Sequence, residues 1–102
     1  MIRHTIVFTL NHSKGSVTEA EFFKKVVKLE HINVVQKFEV LQQLSKTNPF
    51  DYGLSMEFAS KTEYQYFKEH PDYLDFWQEV WKKEVHEFME IDYKVVDPFA
   101  LA

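Results

Sequence analysis

Cysteine is absent from the chain, and glycine and proline are scarce, at 2 and 3 of 102 residues. Without a thiol there is no disulfide, no thiolate nucleophile, no iron–sulfur cluster and no cysteine zinc site. No low-complexity stretch or linker interrupts the sequence, so residues 1–102 read as one domain, large enough for a single hydrophobic core. No apolar run approaches the about 18 residues that a membrane span needs, and MIRHTIVFTLNH at the start lacks the layout of a signal peptide. Basic clusters are missing too. The formal net charge is −4 and the lysines are dispersed among Asp and Glu. Binding a phosphate backbone needs clustered cations, so nucleic acid is not an expected partner. Together these absences point to a soluble cytoplasmic protein without membrane or nucleic-acid partners.

Aromatic residues, by contrast, are abundant: ten Phe, five Tyr and two Trp, 17% of the chain. A domain this small does not easily bury so many rings, and the surplus points to a ligand pocket or a partner surface, where rings are enriched.

The periodicity sets an order of elements. Ile2, His4, Ile6, Phe8 and Leu10 alternate with Arg3, Thr5, Val7 and Thr9, the signature of a strand with one apolar face. After the loop NHSKGS, the pairs Thr18/Glu21 and Ser16/Glu19 have capping-box spacing and open a helix to about residue 31. Phe22, Phe23, Val26, Val27 and His31 mark one of its faces. Residues 34–44 read as a strand, although the pattern alone does not exclude a helix. SKTNPFDYG is a turn. In the next strand Tyr52, Leu54, Met56 and Phe58 alternate with Gly53, Ser55, Glu57 and Ala59. Ser60 and Glu63 open a short helix that Pro71 ends, because proline disfavours the helical conformation of the residue before it. Proline also suits the first turn of a new helix. That helix is expected to run to about His86, with Tyr73, Trp77, Val80, Trp81 and Phe88 along one broad side, before a last strand at 88–96 and a tail.

The order β-α-β-β-α-α-β fits an α+β, ferredoxin-like four-stranded antiparallel sheet with helices on one face and the second helix broken at His70-Pro71. The apolar rows of the first and third strands then meet the helices. The opposite rows are mixed rather than fully polar, which makes a second sheet a plausible cover. The expectation is a homodimer joined through the sheet face, closing a barrel. Pro98 and Phe99 make a tail that crosses to the partner conceivable.

RHTIVFTL, DYGLSMEFAS, YFKEHPDYLDFW and EIDYKVV, in this order over residues 2–96, resemble the stress-responsive A/B barrel (Dabb) family. The resemblance implies a ferredoxin-like protomer and a dimeric α+β barrel. It implies no single activity, since most members have none established. In the family's plant polyketide cyclases, a histidine at the position of His4 lines the pocket, and Tyr-x-x-His-Pro-x-His supplies an assisting tyrosine and a catalytic base. Here that window reads Phe67-Lys68-Glu69-His70-Pro71-Asp72-Tyr73, so Phe67 replaces the assisting phenol and Tyr73 the base. A phenol with a pKa near ~10 is a poor base at neutral pH, and the cyclase mechanism does not carry over intact.

Two residues remain as candidates for chemistry. His4 reads either as a core histidine or as a base facing an internal pocket; imidazole suits proton transfer near neutrality. Tyr73 is its candidate partner, in a pocket lined by Ile6, Phe8, Met56, Phe67, Trp77 and Trp81. The bland reading of the same rings is core packing, and His70 reads as a corner cap. Asp92, on the last strand in one row with Glu90 and Lys94, reads as a solvated or intersubunit contact, with an ion or hydrogen-bond role open. No metal motif, cofactor motif or phosphate loop is visible. The leading expectation is a homodimer of unassigned activity that binds a small apolar or aromatic molecule. The alternatives are a polyketide-cyclase or lyase-like enzyme acting through His4, and a structural, stress-associated dimer without a ligand.

Overall fold

The computed structural model describes residues 1–100. β1 spans Ile2–Leu10, and α1 spans Val17–Val26 and tightens into a 3-10 turn at Val27–His31. β2 (Gln36–Gln42) and β3 (Tyr52–Phe58) follow, then α2 (Lys61–Glu69). α3 starts at Pro71 and runs through a π-type turn at Trp77–Trp81 to Glu84, where β4 (Val85–Lys94) begins. The strands form one antiparallel sheet in the order β2-β3-β1-β4. The ferredoxin-like arrangement expected from the periodicity is therefore present, with its helices on one face.

Local chemistry explains the element boundaries. Of the two candidate caps for α1, Ser16 is the one used: its hydroxyl accepts the Glu19 N–H at 3.2 Å. Ser60 does the same for α2 by accepting the Thr62 N–H. His70 has extended backbone and its Nδ1 accepts the Asp72 N–H at 3.1 Å, so it caps α3 while Pro71 fills the first helical position. The break between α2 and α3 is thus a capped corner.

The last helix ends two residues earlier than the periodicity suggests. The Asn11 N–H binds the Glu84 carbonyl at 2.8 Å, and Val85 already pairs with Leu10. Competition from the β1 edge ends the helix there, so Phe88 belongs to β4 and packs edge-on against Trp77 and Trp81 from the sheet side. β2 is shorter than 34–44 and irregular, with a register shift between Gln36 and Glu39 and a positive φ of 48° at Lys37. His31 is exposed, and the buried residues there are Leu29 and Ile32.

The core lies between the helices and the apolar rows of β1 and β3. Ile6, Phe8, Leu54, Met56 and Phe58 are buried from the sheet side, and Phe22, Val26, Leu29, Phe67, Phe76 and Trp81 from the helix side. Trp81 lies at the centre, 5.0 Å from the Phe8 ring and stacked on Trp77 at 5.5 Å. Leu101 and Ala102, the end of the tail, lie outside the described residues; Phe99, in a short turn before them, is exposed.

Among the described residues no helix covers the other face of the sheet. Register places Val7, Gly53, Leu41 and Met89 in one cross-strand row, with Thr5, Ser55, Glu39 and Ile91 beside it. Leu41, Met89, Ile91 and Tyr93 are exposed there. Among them Glu57 is only 2% exposed. The Arg3 guanidinium donates to its Oε1, and Lys37 Nζ lies 3.4 Å from Oε2. Arg3, followed by Lys37, holds the Glu57 carboxyl below the usual carboxylate range against the cost of desolvation. The left-handed backbone of Lys37, worth of order 1–2 kcal/mol of strain, is where the chain delivers that second cation.

Because Trp81 joins the sheet, α1 and α3, Trp81→Ala should destabilise the fold by about 3–5 kcal/mol. Urea unfolding followed by circular dichroism measures this, and a loss below about 1 kcal/mol would contradict the central place given to this ring.

Candidate functional site

His4 sits on the helix side of β1, the one histidine in a row otherwise made of Ile2, Ile6, Phe8 and Leu10. It is 4% exposed. Antiparallel pairing places Met56 opposite it on β3 and Asp92 opposite it on β4. Directly opposed residues of an antiparallel pair project to the same side, which brings the carboxylate to the imidazole. His4 Nδ1 lies 2.5 Å from Asp92 Oδ1. The Tyr64 hydroxyl completes the group, donating to Asp92 Oδ2 at 2.7 Å and standing 3.1 Å from His4 Nδ1.

This geometry assigns the protons. An ionised carboxylate only accepts, so the short contact requires a hydrogen on Nδ1, and in the neutral ring Nε2 then carries the lone pair. Nε2 has no hydrogen-bond partner among the described residues. Tyr64 remains a donor, because burial, reinforced by its hydrogen bond to Asp92, pushes its phenol far above the ordinary range. Asp92 is itself partly exposed, at 39% of its side chain, so the network runs from buried imidazole to solvent.

His4 also lines an interior space with Ile6, Met56, Phe67, Tyr73, Trp77 and Trp81. Of the pocket residues expected from sequence, only Phe8 is elsewhere, packed among Phe22, Phe23, Tyr52 and Trp81. The space is almost closed: about 10 Å³ remains, enough for roughly one water. Besides His4, three lining side chains carry polar atoms: Tyr73, Trp77 and Trp81. Trp81 Nε1 is buried without a partner among the described residues. Tyr73 stacks on Phe67 at 4.5 Å, and burial, with Glu90 and Asp92 adding repulsion, pushes its phenol well above the ordinary range. The phenol that touches His4 is therefore Tyr64, while Tyr73 shares the interior space without a hydrogen bond to the imidazole. Tyr73 and Trp77 are only half-buried and form the outer wall.

In the sequence Tyr64 stands three residues before Phe67, a spacing that marks it as an apolar helix position and nothing more. Its sole sequence signal is the phase set by the Ser60 cap, which turns it toward the sheet. Asp92 hydrogen-bonds the imidazole within one chain rather than being fully solvated. Among the described residues no group of three or more His, Cys, Asp or Glu side chains is placed to hold a metal ion, and no helix is long and apolar enough to cross a membrane.

Residues 2–95 match the family model described as the stress responsive A/B barrel domain. A Dabb family protein with a ferredoxin-like fold from Mesorhizobium loti is 41% identical; the match covers 94% of this chain and 97% of that one, with a TM-score of 0.92. The hydroxynitrile lyase of Passiflora edulis has the same fold at 16% identity, covering 96% and 95% of the two chains with a TM-score of 0.81. A dimeric ferredoxin-like protein of unknown function from Thermobifida fusca is 14% identical over 92% of this chain and 90% of that one, with a TM-score of 0.75. No curated protein matches the chain.

The phenols supply a pH prediction. Tyr64 and Tyr73 are raised, and Tyr52 is pushed up to about 12 by burial and its hydrogen bond to Glu19. Unfolded phenols ionise near ~10 while these folded ones do not, so the stability they contribute is complete below that pH and is lost as pH rises above it. Ultraviolet titration of the folded protein should show these three ionising late, and Tyr64→Phe, costing about 1 kcal/mol at neutral pH, should flatten the alkaline loss. Phenolate absorbance from all five tyrosines by about pH 10.5 would be the contrary result.

Proposed function

Since the chain belongs to the stress-responsive A/B barrel family, we propose that it acts as a homodimer in which each protomer binds one small apolar or aromatic molecule at His4. The observation that carries this reading is the buried imidazole held by Asp92 through Nδ1, with Nε2 unpartnered on a ring that lines an aromatic-walled interior. Such a nitrogen accepts a hydrogen bond from a hydroxyl or, when protonated, donates one to a carbonyl. The other lining residues are apolar or aromatic, with the Tyr73 hydroxyl and the Trp77 and Trp81 N–H groups as their only polar atoms, which suits a ligand with a ring and one polar group.

A bound molecule needs more room than about 10 Å³. The half-buried outer wall, Tyr73 and Trp77, stands where α3 passes into its π-type turn, an irregularity that recurs at functional sites. Binding then consists of moving this wall outward. The tight interior also favours a second reading, a dimer whose rings only pack. Acid–base chemistry at His4 is compatible with the carboxylate-held imidazole, and the lyase of Passiflora edulis lends that idea a shared fold alone.

The partner in the dimer is a second copy, docked on the helix-free face. Support comes from the exposed side chains Leu41, Met89, Ile91 and Tyr93 on neighbouring rows of that face and from the relative described as dimeric. Covering this patch with the same patch of a twin copy removes apolar side chains from water in a self-complementary way.

Two measurements test these readings. Light scattering after size exclusion should give twice the chain mass at micromolar concentration, and Met89→Lys with Ile91→Lys should give a folded monomer; a wild-type monomer refutes the assembly. Titration with a panel of small phenols and aromatic aldehydes should change the emission of Trp77 and Trp81, with His4→Ala weakening the best ligand about tenfold. Equal affinity for the variant, or no saturable change with any of the panel, would leave the packing-only reading standing.

A further inference from the structure

Lysines that lie far apart in sequence meet at one end of the sheet. α2 carries Lys61, Tyr64, Gln65 and Lys68 at i, i+3, i+4 and i+7, positions that share one helix face, and this face walls an open groove of about 500 Å³. Ile2 and Ala59 form its floor, and the end of β4, Asp92 to Lys94, forms the opposite wall. The volume falls in the range of small-molecule sites, about 300–1,000 Å³.

The electrostatics of the groove depart from those of the chain, whose net charge is −4. Lys14, Lys24, Lys25, Lys37 and Lys83 each pair with a carboxylate. Lys61, Lys68 and Lys94 pair with none among the described residues; Lys28, Lys46 and Lys82 are unpaired too but do not line the groove, so three of the six unpaired lysines gather at this one place. The one carboxylate in the lining, Asp92, is already engaged by His4 and Tyr64. Lys68 Nζ stands 4.6 Å from the centre of the Tyr64 ring, a cation–π contact that keeps the ammonium over the groove. An apolar floor under unpaired ammonium groups is complementary to a molecule with an apolar body and a negative end.

We propose that this groove binds a small amphipathic anion, its body on Ile2, Ala59 and the Tyr64 ring and its charged group facing Lys61, Lys68 and Lys94. The site is distinct from the interior beside His4. His4 lines that interior, whereas Tyr64 and Asp92 line the groove, so the hydrogen-bonded trio is the partition between the two. The proposal therefore stands whether or not the interior takes a ligand.

The test uses the full chain labelled with nitrogen-15 and three probes: 2-naphthoate, its neutral isostere 2-naphthamide, and inorganic phosphate. The expected result is saturable shifts with 2-naphthoate at the amides of Ala59 to Lys61 and Asp92 to Lys94. Binding should be at least about fivefold tighter than for the amide and weaken with added salt. Phosphate, lacking an apolar body, should bind more weakly than 2-naphthoate. Replacing Lys61, Lys68 and Lys94 together by Gln, all exposed positions, should abolish the preference for the acid in a protein with an unchanged spectrum elsewhere. Tyr73→Phe, which alters only the interior, should leave it intact. Equal, salt-insensitive binding of acid and amide, shifts confined to the amides around Tyr73 and Trp77, or no saturable shift with 2-naphthoate would each overturn the proposal.

Discussion

β1 is paired on both sides, and its register against β3 and β4 is the constraint on which the remaining structure depends. His4 faces Met56 across one ladder and Asp92 across the other. A slip of one residue turns every side chain of a strand to the opposite face. It would carry Ile6 and Phe8 out of the core and separate the imidazole from its carboxylate in one step. The apolar row and the polar pair are therefore fixed by the same event. Burial of Ile6, Phe8 and their partners drives it, at roughly 25 cal/mol per Å² of apolar surface, and the His4–Asp92 contact is placed as a result.

An imidazole within that row costs free energy unless its polar atoms are satisfied. Asp92 and Tyr64 engage Nδ1, and Asp92 carries the network to solvent, while Nε2 has no hydrogen-bond partner among the described residues. This asymmetry has a chemical consequence. The end in contact with water is orientated and saturated, while the end in the aromatic interior keeps an open valence. Trp81 Nε1 is likewise buried without a partner at the same interior space. A buried indole N–H without a partner beside an imidazole nitrogen that no side chain engages suits a water or the polar group of a ligand better than it suits a purely structural core.

The bare face of the sheet follows a different logic. There a carboxylate is buried between two cations, toward one end of a face that mixes apolar, small and polar side chains. The Glu57 cluster contributes little as an adhesive, since partly exposed ion pairs are worth about 0–1 kcal/mol. Its effect is to neutralise charge across a face whose apolar side chains are otherwise suited to contact with another sheet. At one end of the sheet, α2 and the end of β4 leave three lysines unpaired around a groove. One layer thus presents one face suited to self-association and one rim suited to small anions.

Periodicity was enough to read the sheet, the side on which the helices lie and the corner at His70-Pro71, because these depend on local alternation, capping and proline geometry. Most of the side chains around His4 were legible for the same reason: Ile6, Met56, Phe67, Trp77 and Trp81 belong to apolar rows that can only face one another. The end of the last helix at Glu84 was not legible, because it is set by competition with β1, far away in sequence. Nor were Asp92 and Tyr64 as partners of His4, separated from it by 88 and 60 positions. The same holds for the meeting of Lys61, Lys68 and Lys94 in a chain that shows no basic stripe. Alternation along a strand is a property of neighbouring residues and is written in their order. Which carboxylate meets which imidazole, and how much space is left beside it, depends on register and side-chain packing, and these exist only once the whole sheet has closed.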